Sequence, residues 1–380
     1  MKICFFGTYE SNWPRHITLK AGLESQGVEV LECHIPLWEL WRDKTRSFLK
    51  PSSLLKLVPR LLWIYLRLII RHARMGDYDC MLVGFMGYFD LPLARILSRW
   101  RGRVLLYTPV VSLYESMAGD RSIVKSRSVS ARALKAYESW SIRLVDAVLL
   151  ETRSYIRYFS EEFNLPESRF IHVPLGSDQT NYYPRKVKKE PGDGFLCFFY
   201  GKFTPLQGVP CILKAAKLLE SRKDIRFEVV GSGQLTDAIE ALKQELRLTN
   251  LRHIDWVDYR ELPEHIARAD VCLGIFGDTD KAMRGIPVKV YDAVAMGKPV
   301  ITGDTPGARE LFTHEKNAIL VPPGNPEALA AEIVRLKEDP GFRHSIAEAG
   351  YALFREKLDR GVLGRNVVEA IRAFAARPLR

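Results

Sequence analysis

Two series of short apolar runs, each run followed by a longer helical pattern, leave few folds open to this chain. The first series places strands at residues 2–6, 28–31, 78–84, 104–107 and 147–150, with a helix over 17–26 between the first two. A polar stretch rich in Pro, Gly and Lys over residues 183–194 has the composition of a linker. The alternation then restarts, with strands at 195–200, 227–230, 254–256, 271–275, 299–301 and 318–321. Helices fall between them at 211–221, 235–246 and 288–296, and residues 326–377 are almost wholly helical in pattern. Short buried strands separated by helices predict parallel sheets built from right-handed crossovers. The expectation is an α/β protein of two doubly wound domains facing a cleft, with ligands at the carboxyl ends of the strands.

Composition agrees with a packed core: 47% of the 380 residues are hydrophobic and 27% charged, which excludes disorder. The six cysteines are scattered without zinc spacing, and reduced thiols in a cytoplasmic protein are the simplest account. The opening residues start a strand and lack a signal peptide's apolar core, and no apolar run is long enough for a membrane span. The net charge of +11 is uneven, for residues 42–103 hold 13 Lys+Arg against 4 Asp+Glu. A local basic field attracts phosphate, whether on lipid, nucleic acid or substrate.

Three loops in the second half carry the chemistry. Tyr200-Gly201-Lys202-Phe203-Thr204-Pro205-Leu206-Gln207-Gly208 joins a strand to a helix, so its glycines and the helix N-terminus suit a diphosphate. The alternative is a plain strand–helix turn with a solvated lysine. In Gly285-Ile286-Pro287-Val288-Lys289-Val290-Tyr291-Asp292, the Asp292 carboxylate suits a ribose diol, or else forms an ion pair with Lys289 three residues earlier. A third glycine-rich loop, over residues 302–310, faces the same cleft.

These stretches resemble the glycosyltransferases of the GT-B fold, family 4 (glycosyl transferases group 1), most closely over residues 195–335. "GKFTPLQG" is similar to the family's diphosphate loop, and "WVDYRELPEHIARADVCLGIF" to the elements flanking its base pocket. "IPVKVYDAVAMGKPVITGDTPGARELFTHEKNAILVPPGNPEALA" is similar to its ribose-binding helix and the loop after it. The resemblance implies two Rossmann-like domains: 1–185 for the acceptor, 194–360 for the nucleotide sugar, and a helix over 361–380 returning to the first. It implies transfer from a UDP- or GDP-linked sugar to a glycan or lipid-linked acceptor, with retention and without metal or cofactor. It places Lys202, Arg284 and Lys289 at the reacting centre. Gly201, Gln207, Trp256, Val257, Val288 and Asp292 fall on the donor, and Gly7, Tyr9 and Arg15 on the acceptor side, where His16 is a further candidate. Departures are Arg284, where the family often has an acid, and Gln207, where it has a cation. They leave open a non-catalytic nucleotide-binding partner of an active transferase, or a sugar-nucleotide epimerase.

No histidine has partners at catalytic-triad spacing. Residues 52–74 form a basic, apolar helix pattern, with Lys56, Arg60, Arg67, Arg71 and Arg74 within an arc of about 60°. Pro59 is expected to start or kink it. Two readings stand: a sheet-packing helix with a solvated stripe, or an element lying on an anionic membrane surface, assisted by Trp38, Trp41 and Trp100. Nucleic acid is not expected, since no binding motif accompanies the charge.

Overall fold

The computed structural model describes residues 1–37, 51–120, 124–125, 128–187 and 194–375, without the side chains of 51–58. Trp38, Trp41 and the Lys56 side chain therefore lie outside the described residues.

Two six-stranded sheets, parallel throughout, form the two halves. The first contains β1 (Lys2–Gly7), β2 (Glu29–His34), β3 (Cys80–Val83), β4 (Val104–Tyr107), β5 (Ala147–Leu150) and β6 (Phe170–His172), in the order β2-β1-β3-β4-β5-β6. Its helices are α1 (Pro14–Ser25), α2 (Pro51–Arg74), α3 (Leu91–Trp100), α4 (Val129–Arg143) and α5 (Arg153–Phe163). The second contains β7 (Phe195–Tyr200), β8 (Ile225–Val230), β9 (Leu251–Ile254), β10 (Val271–Leu273), β11 (Val300–Gly303) and β12 (Ile319–Val321), ordered β12-β11-β10-β7-β8-β9. Its helices are α6 (Val209–Leu218), α7 (Thr236–Leu246), α8 (Leu262–Arg268), α9 (Val288–Ala295), α10 (Pro306–Arg309), α11 (Pro326–Glu338) and α12 (Pro340–Leu353), followed by α13 (Arg360–Ala375).

The central strands are short and apolar because helices cover both their faces. Every residue of β3, β4 and β5 is buried, as a parallel sheet requires. Each sheet separates two apolar clusters, one on either face. The α13 helix returns to the first domain and crosses α1 so closely that a Cβ on Gly364 would collide with the Gly22 carbonyl.

Three expectations need correction. The strand expected at 254–256 is β9, ending at Ile254, so Trp256 lies in the loop beyond it. The three-residue β6 was not anticipated, its signal being too short to separate from the loop before Pro174. Of the start or kink expected at Pro59, only the start is overturned, since α2 runs from Pro51 through Pro59.

Candidate functional site

In the second domain, loops at the carboxyl ends of β7, β8 and β10 pack backbone against backbone. Phe203 N donates to Ser232 O (3.1 Å) and Leu235 N to Phe203 O (3.0 Å). Phe276 N donates to Gln207 O (3.1 Å). Gly208 caps α6 in the left-handed region (φ 66°), and a Cβ there would strike the Phe276–Gly277 backbone. Glycine is required at this position on both counts. Lys202 is exposed on the loop, and Gln207 is half-buried.

Lys289, on the first turn of α9, points into this loop. It is 6% exposed, its Nζ donates to Gln207 Oε1, and it stands 3.6 Å over the Phe199 ring centroid. Gly201 makes room for it: a Cβ there would lie 2.7 Å from Nζ and 3.2 Å from Gln207 Oε1. Burial opposite a neutral amide and an aromatic face drives the ammonium pKa well below the ordinary lysine value. The loop thus holds a desolvated amine with a neutral amide as its hydrogen-bond acceptor.

Asp292, three residues on, corrects both of its expected roles. It is 0% exposed, with Oδ1 accepting from Ser177 Oγ at 2.5 Å and Oδ2 from the Tyr200 hydroxyl at 2.6 Å. It therefore presents no carboxylate surface to a ribose, and it does not pair with Lys289. Burial raises its pKa to about 7, against the opposing pull of the Ser177 and Tyr200 hydroxyls. Asp292 ties the segment that crosses between domains to the end of β7. Val288 and Val257 are half-buried against one apolar cluster, whereas Trp256, just beyond β9, is 67% exposed.

The first domain's candidates turn inward. Gly7 (φ 116°) lies so close to Asp90 that a Cβ would collide with its carboxylate, which accepts from Thr8 N at 2.6 Å. The glycine serves this anchor. Tyr9 is buried between His16 and His34, at centroid distances of 4.9 and 4.3 Å. His16 Nδ1 lies 2.6 Å from Glu10 O, and its Nε2 accepts from Phe85 N at 2.9 Å. Burial pushes its pKa down to about 4, so the ring is neutral with both nitrogens engaged. Arg15 is buried, donating from Nε to Thr108 Oγ1 (3.1 Å) and from Nη1 to Val173 O (2.9 Å) and Pro174 O (2.7 Å). These side chains hold up the floor of the cleft and are not exposed on its surface.

Arg284 bridges the cleft. Its Nη1 pairs with Glu115 Oε1 of the first domain, and its guanidinium lies 4.1 Å over the Tyr158 ring. Its carbonyl accepts from Thr152 Oγ1 at 2.7 Å. Beside it, Lys281 Nζ donates to Ser116 Oγ (3.1 Å). Glu310 crosses to cap α5, accepting from Arg153 N (2.6 Å) and Ser154 N (2.7 Å). Glu151 is buried in the same junction, and desolvation raises its pKa to about 8 although Arg15 and Lys281 oppose the shift.

Residues 184–353 match the family described as Glycosyl transferases group 1. The match covers the C-terminal domain, under half of the chain. Among curated relatives, an uncharacterized glycosyltransferase of Methanocaldococcus jannaschii is 27% identical over 228 residues, 56% of this chain and 55% of that one. A putative colanic acid biosynthesis glycosyltransferase, WcaL of Salmonella typhimurium, is 29% identical over 51% of this chain and 47% of its own. The match spans about half the length of these curated relatives. The solved structure of sucrose-phosphate synthase from Thermosynechococcus elongatus superposes with TM-score 0.72 at 17% identity, covering 99% of this chain and 100% of that one. Anabaena HepE in complex with UDP superposes with TM-score 0.68 at 15% identity, covering 98% and 100%. The two facing sheets are the GT-B fold.

Of the expected site residues, the structure gathers Gly201, Gln207 and Lys289 into one cluster. It separates Asp292 and Arg284 from that cluster and ties each to another element. Ser177, Tyr200, Glu115 and Glu310 went unrecognised in the sequence because their partners lie 92 to 169 residues away. No local spacing records such contacts.

Proposed function

We propose that the chain is a retaining hexosyltransferase that carries a sugar from a UDP- or GDP-linked donor to a glycan or lipid-linked acceptor. The process is cell-surface polysaccharide synthesis, on the cytoplasmic face of a membrane. The family match over the C-terminal domain, the GT-B fold and relatives such as WcaL support the reaction class. The observation that carries the donor site is Lys289, a buried amine held by a glycine loop and facing a neutral amide. A desolvated cation without an opposing carboxylate is costly in the empty protein. An arriving diphosphate repays that cost and stabilises the charge that develops on the leaving group. Trp256 offers its exposed indole as a stacking face for the base, and Lys202 adds a solvent-side cation to the same loop.

Thermal melting with UDP, GDP, ADP and their sugars tests this. A ligand at about 100 times its Kd stabilises the folded state by about 2.7 kcal/mol, a shift of a few degrees. One base is expected to shift the wild type. Lys289→Met is expected to raise the melting temperature of the empty protein while abolishing that shift, because it removes a buried amine and the ligand's partner together. A wild type indifferent to every nucleotide defeats the proposal.

A second reading, a nucleotide-binding partner without turnover, draws on one observation: Arg284 is engaged by Glu115 and Tyr158 across the cleft. A nucleotide shift without sugar transfer to any acceptor is the outcome that favours it.

A further inference from the structure

The α2 helix divides into three stripes. At about 100° per residue, the buried stripe is Ile64, Leu68 and His72, on the side that packs against β2 and α3. A second stripe, about 120° wide, is apolar and uncovered: Leu62, Trp63, Leu66, Ile69 and Ile70, with Leu62 at 65% exposure. The third, adjoining it, is cationic and exposed: Arg60, Arg67, Arg71 and Arg74. No carboxylate interrupts the sequence from Arg60 to Arg74. Packing on the sheet therefore accounts for only one of two apolar stripes.

The uncovered face does not stop at α2. The α3 helix lies alongside, its Trp100 ring 6.3 Å from His72, and Arg101 joins the two by donating to His72 O at 2.9 Å. One turn apart on α3, Ile96 and Trp100 are 66% and 70% exposed, with Arg99 exposed between them. An apolar surface on two adjacent helices, rimmed by arginines of one sign, exceeds what a soluble surface leaves open without a partner.

We infer that the exposed faces of α2 and α3 together form a docking surface for an anionic lipid bilayer. The apolar stripe enters the acyl boundary, Trp63 and Trp100 sit at the interface, and the arginines lie at the head groups. Charge complementarity selects the occupant: the rim is cationic throughout, as anionic lipid demands and a neutral apolar protein groove does not. No described helix is long and apolar enough to cross a membrane, so the attachment is lateral. This deepens the membrane setting of the proposed function and rests on it for its purpose, though not for its geometry.

Flotation of the full chain with phosphatidylcholine vesicles, with and without phosphatidylglycerol, tests it without donor or acceptor. Binding is expected only with phosphatidylglycerol and is expected to fall with salt. Each of Arg60→Gln, Arg67→Gln and Arg74→Gln is expected to weaken it about fivefold. Leu66→Ser with Ile96→Ser and Trp100→Ser is expected to abolish it. These side chains are exposed, so the variants keep the wild-type melting temperature and the nucleotide-induced shift, which separates failure of docking from failure of the donor site. Equal binding to neutral vesicles, no binding to either, or wild-type binding by the triple variant would each overturn the inference.

Discussion

Lys289 and Asp292 sit three residues apart on one short helix, and the fold treats them oppositely. The lysine is turned toward a loop with no carboxylate to receive it, while the aspartate is sealed between two hydroxyls. An ion pair at this spacing is worth a few tenths of a kcal/mol on a helix surface; neither side chain is at the surface, and packing decides. Because Asp292 has a folded-state pKa near 7, above the ordinary carboxylate value, the fold favours its protonated form. The stability it contributes is complete below the unfolded-state pKa and is lost as pH rises through about 7. Asp292→Asn is expected to flatten the fall in melting temperature over that window. Asp292→Ala strands the Ser177 and Tyr200 hydroxyls and is expected to cost about 2 kcal/mol. In the folded protein neither change is expected to alter the nucleotide shift, read by the same melts. A lost shift in Asp292→Asn would return this residue to the donor site.

At the scale of elements, the sequence announces what is set locally and hides what is set by contact. The fully buried β4 and β5, and the largely buried β7, match their expected spans, since covering both faces leaves a continuous apolar run. By contrast β9 is half-buried and polar, with Arg252 and His253 in it, so the apolar Ile254 and Trp256, on either side of Asp255, drew the expectation two residues too far. The α1–α13 crossing was expected only as a returning helix. Its contact depends on Gly22 and Gly364, which are 342 residues apart and carry no helical signal of their own. Glycine costs a helix about 1 kcal/mol relative to alanine, so Gly364→Ala ordinarily stabilises. Here the added Cβ meets the Gly22 carbonyl, and overpacking of about 1–3 kcal/mol outweighs the gain. Denaturant titration is expected to show a lower midpoint for Gly364→Ala. A higher midpoint would mean that α13 yields to the methyl.

Across the whole molecule, the two domains meet through polar contacts that each sheet contributes at its carboxyl edge. Arg284 is the centre of this junction, bonded through both guanidinium and carbonyl to the first domain. Glu115 is only 7% exposed at its side chain, against 22% for Arg284. Removing the arginine therefore takes an ion-pair partner from a carboxylate with little access to water, whereas removing the acid leaves a cation that retains some solvent. Arg284→Met is thus expected to destabilise more than Glu115→Gln, and the double variant to recover part of the loss. A coupling of about 1–3 kcal/mol is the expected size for a contacting pair. Lys289, Gly201 and Gln207 all belong to the second domain, so the nucleotide shift is expected to survive in all three variants. The proposed sugar transfer, which draws on both domains, is expected to fall where the bridge is broken. Melting curves with and without the responding nucleotide, read beside turnover, measure both effects. A nucleotide shift lost with Arg284→Met would make closure part of donor binding, and the junction and the loop would then be one site.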